Sequence, residues 1–208
     1  MTLPFLLSKQ LKKPNGFFGL LVSLLMNIIN KPMYAKALNL LTFNEDESVL
    51  EIGIGNGKIL KSITKKVPKG LVTGIDISPT MLFFAKCYNI RLIRKKKIQI
   101  LKKDIENLNF ENETFDKIIS LNTIYFWKNP TKILEQLYQV LKPNGQILLA
   151  FNSKREMIKS GYNSEIFTFW EVEEVEILLK SHHFTIVNSI YEQLKFEDCY
   201  CVIAQKNT

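Results

Sequence analysis

Val49-Leu50-Glu51-Ile52-Gly53-Ile54-Gly55-Asn56-Gly57 reads as a buried strand that runs into a glycine turn. Val49, Leu50 and Ile52 are apolar, which suits a strand in the middle of a parallel sheet covered on both faces. Gly53, Gly55 and Gly57 let the backbone turn tightly and approach a ligand with no Cβ in the way. Ile59, Leu60 and Ile63 then share one face of a helix expected over 57–66. Strand, glycine turn and helix together make a nucleotide-type binding site.

The spacing narrows the nucleotide. A dinucleotide turn carries G-x-G-x-x-G. Counted from Gly53, its last glycine would fall on Lys58; the glycines here are spaced G-x-G-x-G. Glu51 stands at the strand end, where a carboxylate repels a pyrophosphate and attracts a cation. The implied ligand has an adenosine part, no phosphates and a positive charge near Glu51. Asp76, at the tip of the next apolar run, suits a carboxylate accepting from both ribose hydroxyls. Asp104, at the tip of the third, could accept from an adenine amine, with Ile77 and Ile105 on either side of the ring. Each acid alone reads equally well as a solvated loop acid or a helix cap; Asp76 precedes Ser78-Pro79. Jointly with the glycine turn they read as a ligand site.

Outward from this stretch the chain alternates. Strands are expected at 49–53, 71–75, 98–102, 116–121 and 146–151, and helices at 57–66, 79–89, 130–141 and 171–181. Pro143-Asn144-Gly145 reads as a turn before the fifth strand. Strands 184–192 and 199–205 follow one another with a short connection, so they must pair antiparallel. The result is a mostly parallel α/β sheet with helices on both faces. Ahead of it, Phe17 to Ile29 is apolar and too short for the roughly 20 residues that span a bilayer. Ser23, Asn27 and Asn30 break it at helical spacing, which predicts an amphipathic helix docked on the domain, with a membrane-surface helix as the alternative.

The 208 residues are 46% hydrophobic, enough for one globular domain with a sizeable core. Three cysteines form no even framework and no zinc spacing, which points to reduced thiols, no metal and a cytoplasmic setting. Net charge is +8. Arg91, Arg94 and Arg155 are the only arginines, and that scarcity argues against a nucleic-acid partner. Arg94-Lys95-Lys96-Lys97 reads as a solvated loop between two elements.

With these motifs in place the chain resembles the class I S-adenosylmethionine-dependent methyltransferases, of the small-molecule type. The glycine stretch matches the family's first motif. Gly74-Ile75-Asp76-Ile77-Ser78 matches its acidic second strand end, with Met81 following where the family often packs a methionine. Lys103-Asp104-Ile105 matches its adenine-side acid, Phe115-Asp116-Lys117-Ile118-Ile119-Ser120 its fourth strand, and Leu141-Lys142-Pro143-Asn144-Gly145-Gln146 its turn before strand five. The resemblance covers about 45–206. It implies a Rossmann-like seven-stranded sheet in the order 3-2-1-4-5-7-6, with strand seven antiparallel. It implies S-adenosyl-L-methionine as cofactor, S-adenosyl-L-homocysteine as product, and Glu51, Gly53, Gly55, Asn56, Gly57, Asp76, Ile77, Met81, Asp104, Ile105 and Asn122 around the cofactor. Gln10-Leu11-Lys12-Lys13-Pro14-Asn15-Gly16 resembles a basic segment of some bacterial members. On that likeness residues 1–44 form a helical lid over a methyltransferase domain at 45–208.

Methyl transfer is a displacement that positioning and water exclusion can drive without a general base. Tyr125 is the one candidate for orienting or deprotonating an acceptor. Tyr34, Tyr125, Phe126, Trp127, Tyr162 and Phe167 are the candidates for an acceptor pocket, with 152–170 as a covering loop. Ordinary packing beneath the N-terminal helix explains the aromatic run after strand four as well. Asn122-Thr123-Ile124-Tyr125 lacks the prolines of a DNA amino-methyltransferase motif. Tyr191 and Lys195 have dehydrogenase spacing but accompany the wrong glycine pattern. The expected function is methyl transfer to a small molecule. The alternatives are a membrane-associated lipid or quinone methyltransferase, an RNA or protein methyltransferase, and a binding module without catalysis.

Overall fold

A computed structural model describes residues 5–194 and 198–207, so Lys195 lies outside the described residues. Seven strands, β1 (Ser48–Ile52), β2 (Leu71–Asp76), β3 (Ile98–Lys102), β4 (Phe115–Leu121), β5 (Leu141–Asn152), β6 (Phe184–Gln193) and β7 (Asp198–Lys206), make one sheet. Its order is β3-β2-β1-β4-β5-β7-β6. The first five strands pair in parallel, and β7 runs antiparallel between β5 and β6. This is the expected Rossmann-like order.

The helices are α1 (Phe5–Lys12), α2 (Gly16–Ile29), α3 (Lys31–Leu40), α4 (Leu60–Lys66), α5 (Pro79–Arg94), α6 (Pro130–Val140), α7 (Lys154–Lys159) and α8 (Val172–Ser181). Alternate residues of the central strands serve opposite faces. Leu50 and Ile52 join Ile133, Leu137, Val175 and Leu179 in a core with α6 and α8. Val49 joins Met33, Ala37, Leu60, Ile63, Leu82 and Ala85 in a core with α3, α4 and α5. Local signals start the helices. Ser78 accepts from the Met81 N–H ahead of Pro79, and Asn129 accepts from the Lys132 N–H ahead of Pro130. A serine or asparagine cap followed by proline satisfies one orphan amide and supplies the residue that needs none.

Several boundaries differ from the sequence expectation. α4 starts at Leu60, not at 57, because Gly57 has φ +73 and belongs to the turn. α5 runs on to Arg94, and the basic run after it is a tight exposed turn with Lys96 at φ +56. The Pro143-Asn144-Gly145 turn sits inside β5: Leu141 already pairs with Phe115, and Asn144 at φ +61 takes up the irregularity. Residues 5–12 form α1, which the sequence reading does not mark as a separate helix. Six residues of the supposed covering loop form α7, begun by Ser153 accepting from the Glu156 N–H.

α2 brings the largest difference. The polar residues of this apolar helix face inward: Ser23, Asn27 and the following Asn30 line a cleft above the sheet together with Val22 and Met26. Phe17, Phe18, Leu21, Leu24, Leu25 and Ile28 face outward and are exposed. The helix is amphipathic, but its polar side meets the domain.

Candidate functional site

The cleft lies at the C-terminal ends of β1, β2 and β4, roofed by α1, α2 and the start of α3. Its floor is the glycine turn. Gly53 and Ile54 both donate to the Ile75 carbonyl, at 2.9 and 3.2 Å, which ties the turn to β2. Gly53, Gly55 and Gly57 all have positive φ, at +71, +52 and +73. A Cβ on Gly55 would meet only Ser23 Oγ of α2, at 4.0 Å, so the space between turn and roof stays open. Gly57 points the other way. A Cβ there would come within 2.8 Å of Ala85 and Asn89 on α5, and Asn89 Nδ2 donates to its carbonyl at 2.9 Å.

Asp76 faces the cleft from the tip of β2. Its Oδ1 accepts from the Ser78 N–H at 2.8 Å and its Oδ2 from the Gly55 N–H at 2.9 Å. Burial raises its pKa above the usual carboxylate value, against the pull of these amides. Glu51 lies beside it, buried, with Oε2 lacking any hydrogen-bond partner among the described residues. Burial first, and the charge of Asp76 second, push the Glu51 pKa up to about 8. An orphaned carboxylate oxygen in a dry wall is a place for a cation.

The opposite end is aromatic. Tyr125 and Phe126 belong to a short 3-10 turn, Ile124–Phe126, after β4. Phe167 packs on both, with ring centroids 6.1 and 4.9 Å away, and on Tyr162 at 5.0 Å. The Thr168 N–H donates to the Tyr125 carbonyl at 3.0 Å, which ties the segment after α7 to the end of β4. Trp127 and Asn152 are buried cleft residues whose Nε1 and Oδ1 have no hydrogen-bond partner among the described residues. Tyr125 donates its hydroxyl proton to Asn122 Oδ1 at 2.9 Å and accepts from the Asn152 N–H. Asn122 itself holds φ +56, a left-handed conformation that asparagine tolerates better than most residues.

Of the expected residues, the cleft wall brings together Glu51, Gly53, Gly55, Asn56, Asp76, Ile77, Ile105, Asn122, Tyr34, Tyr125, Phe126, Trp127, Tyr162 and Phe167. Gly57, Met81 and Asp104 are not part of it. Met81 is fully buried in α5, and Asp104 Oδ1 accepts from the Glu106 N–H and caps the 3-10 turn Ile105–Asn107. The sequence reading missed Asn89, which fastens the glycine turn, and Asn152, at the end of β5. It also missed the inward set Ser23, Asn27 and Asn30, whose spacing was visible but whose direction was not. Among the described residues no cluster could hold a metal ion.

The arrangement fits an adenosyl ligand with a cationic amino-acid end. Asp76 would take the ribose, Ile77 and Ile105 the base, and Glu51 the cation. Comparison with known proteins finds likenesses to methyltransferases. The family described as "Methyltransferase domain" matches residues 50–149. An uncharacterized methyltransferase of Bacillus subtilis (strain 168), YdaC, is 26% identical over 177 residues, which cover 85% of this chain and 93% of the relative. A malonyl-[acyl-carrier protein] O-methyltransferase of Priestia megaterium is 31% identical over 125 residues, covering 59% of this chain and 44% of the relative. The crystal structure of a SAM-dependent methyltransferase from Aquifex aeolicus superposes with a TM-score of 0.71 at 26% identity, covering 83% of this chain and 88% of that one.

Proposed function

Since the chain belongs to the class I S-adenosylmethionine-dependent methyltransferases, with S-adenosylmethionine as methyl donor, we propose that its acceptor is a small, largely apolar molecule seated at the aromatic end of the cleft. One observation carries this reading. The orphaned oxygen of Glu51 and the carboxylate of Asp76 sit in the same cleft as Tyr125, Phe126, Trp127, Tyr162 and Phe167. A donor site and an apolar chamber share one cleft, the usual form of a small-molecule pocket.

The bound donor supplies a methyl carbon on a sulfonium, whose positive charge disappears as the methyl leaves. A wall of low polarity does not oppose that loss of charge, so the aromatic chamber is compatible with the reaction. Glu51 would hold the ammonium end, and the amides of Gly55 and Ser78 fix Asp76 where it would meet the ribose hydroxyls. α1 and α2 exclude water from above; we assign residues 1–44 this covering role over the domain at 45–208. Tyr125 acts here as a positioning residue. Its hydroxyl bridges the ends of β4 and β5, donating to Asn122 Oδ1 and accepting from the Asn152 N–H, so it holds the two strand ends together rather than taking a proton from an acceptor. The chain's contribution is placement and dryness, which together can supply much of a displacement barrier.

The test is incubation of the protein with labelled S-adenosylmethionine and a metabolite extract, followed by mass analysis of labelled products. Label in a low-mass apolar product is expected. Label confined to protein or RNA would overturn the choice of acceptor. Calorimetric titration with S-adenosylhomocysteine checks the donor site separately.

A further inference from the structure

The outer face of α2 serves no purpose in the cleft. At 100° per residue, Leu24, Phe17, Ile28, Leu21, Leu25 and Phe18 fall within an arc of about 120°. Phe17 is 76% exposed and Ile28 66%, and the other four are exposed as well. The cleft-lining residues Val22, Ser23, Met26 and Asn27 occupy the opposite arc. Phe83 on α5, one turn beyond the Thr80 that contacts Gly16 and Asn15, is 63% exposed and lies beyond the start of α2. A contiguous apolar face of this kind marks a contact surface.

Charge identifies what it contacts. Residues 1–44 contain Lys9, Lys12, Lys13, Lys31 and Lys36 and neither Asp nor Glu. Lys13 precedes α2 and Lys31 follows it, both exposed, so positive charge brackets the apolar face at its two ends. An apolar helix face flanked by lysines is complementary to an anionic lipid surface, with acyl chains beneath and phosphates at the rim. The helix lies on such a surface rather than through it. Its 14 residues reach about 21 Å, short of the roughly 30 Å of a hydrocarbon core. α3 cannot complete a span, because it bends away by 58° and buries Met33, Ala37 and Leu38 in the domain.

We propose that the protein is a peripheral membrane protein that docks through the outer face of α2 on anionic bilayers, with the inner face of the same helix roofing the cleft. This goes beyond the methyltransferase assignment and does not depend on which acceptor is used.

Flotation of the full chain with phosphatidylcholine vesicles, with and without phosphatidylglycerol, tests it. Binding to the anionic vesicles is expected, each flanking lysine raising partitioning about fivefold, and added salt should weaken it. The variant F17S/L25S/I28S should lower partitioning by about a hundredfold or more. Its affinity for S-adenosylhomocysteine should stay within about twofold of the parent, because the replaced side chains point away from the cleft. That titration shows that the variant is folded and separates the two readings. Vesicle binding lost with S-adenosylhomocysteine binding retained supports docking; absent S-adenosylhomocysteine binding by the parent sinks the donor site alone. Docking is overturned if the parent ignores anionic vesicles, or if the variant binds them equally well. It is also overturned if the parent is a stable dimer that ignores vesicles and that the variant converts to a monomer, which would make a second copy the occupant.

Discussion

Asp76 accepts the Gly55 N–H through Oδ2 at 2.9 Å, so the acid at the tip of β2 closes the glycine turn that follows β1. The carboxylate is both part of the floor and the group that faces the ribose. Asp76→Ala removes the ribose acceptor and unties the turn. It should weaken S-adenosylhomocysteine on the order of 100-fold, the scale of two charge-assisted hydrogen bonds. Asp76→Asn keeps one acceptor oxygen and should fall between. Calorimetry measures both, and an unchanged Kd for Asp76→Ala would refute the ribose assignment.

Glu51 makes donor binding depend on pH. With burial and the neighbouring Asp76 holding its pKa at about 8, the group is mostly protonated at neutral pH. A cationic ligand needs the carboxylate, so binding at pH 7 releases a proton. Affinity for S-adenosylhomocysteine should therefore rise between pH 6 and pH 7.5, by up to about tenfold per unit. In Glu51→Gln the affinity should be weaker and the slope lost. A parent whose Kd does not move over that range would count against Glu51 as the partner of the cation.

The same group acts on folding stability with the opposite trend. Its folded pKa lies above the ordinary glutamate value. The folded state therefore holds the extra proton between about pH 4.5 and 8, and stability falls as pH rises through that window. The expected slope is up to about 1.4 kcal/mol per pH unit. Chemical denaturation at pH 5, 6 and 7 should show it in the parent and show less of it in Glu51→Gln. Equal slopes in the two proteins would exclude Glu51 as its source.

Tyr125 is expected to matter for architecture before chemistry. Tyr125→Phe leaves the Asn122 side chain and the buried Asn152 N–H without a partner, at a cost of about 1–3 kcal/mol. Thermal unfolding should drop by several degrees. If the melting point holds and only turnover falls, the hydroxyl acts on the acceptor, and the positioning role assigned to it is wrong.

Gly53 and Thr123 occupy nearly the same space. A Cβ on Gly53 would lie 2.3 Å from Thr123 Cγ2. Gly53→Ala should therefore destabilise by roughly 2–4 kcal/mol through clash and positive φ together. Thr123→Ser removes that methyl and keeps the hydroxyl that bonds Ser120. In the double variant it should recover the steric part and leave the backbone part. A denaturation cycle over the four proteins reads the coupling, and strict additivity would show that the two sites do not touch.

Much of this architecture is legible in the residues, for definite physical reasons. The strand-glycine-helix unit announces itself because few residues can hold three positive φ values in five positions. Ser78-Pro79 and Asn129-Pro130 announce α5 and α6 because their capping chemistry is local. The direction of α2 was not legible. Polar residues at helical spacing ordinarily face water, and nothing local says that Ser23, Asn27 and Asn30 face a cleft instead. Asp104 is ambiguous for a related reason: an acid after a strand can cap the next turn, as its Oδ1 does here, or meet a ligand, and both uses look alike in the residues. Asn89 gives no signal at all, since its partner is a carbonyl more than thirty positions earlier in the chain. α7 did carry one, Ser153 followed three residues later by Glu156, but a helix of six residues has too little periodicity to stand out.

The contact between Gly53 and Thr123 also constrains the routes by which such a chain can change. A side chain can appear at 53 only after 123 has shrunk, whereas 123 can shrink while 53 remains glycine. The order of substitutions is thus one-way. Residue 53 belongs to the floor of the donor site and residue 123 to the segment that leads into the aromatic chamber. A descendant with a new acceptor could reshape Phe126, Tyr162 and Phe167, but position 123 could keep its threonine methyl only as long as position 53 remained glycine. The history of the acceptor would be written around that fixed point.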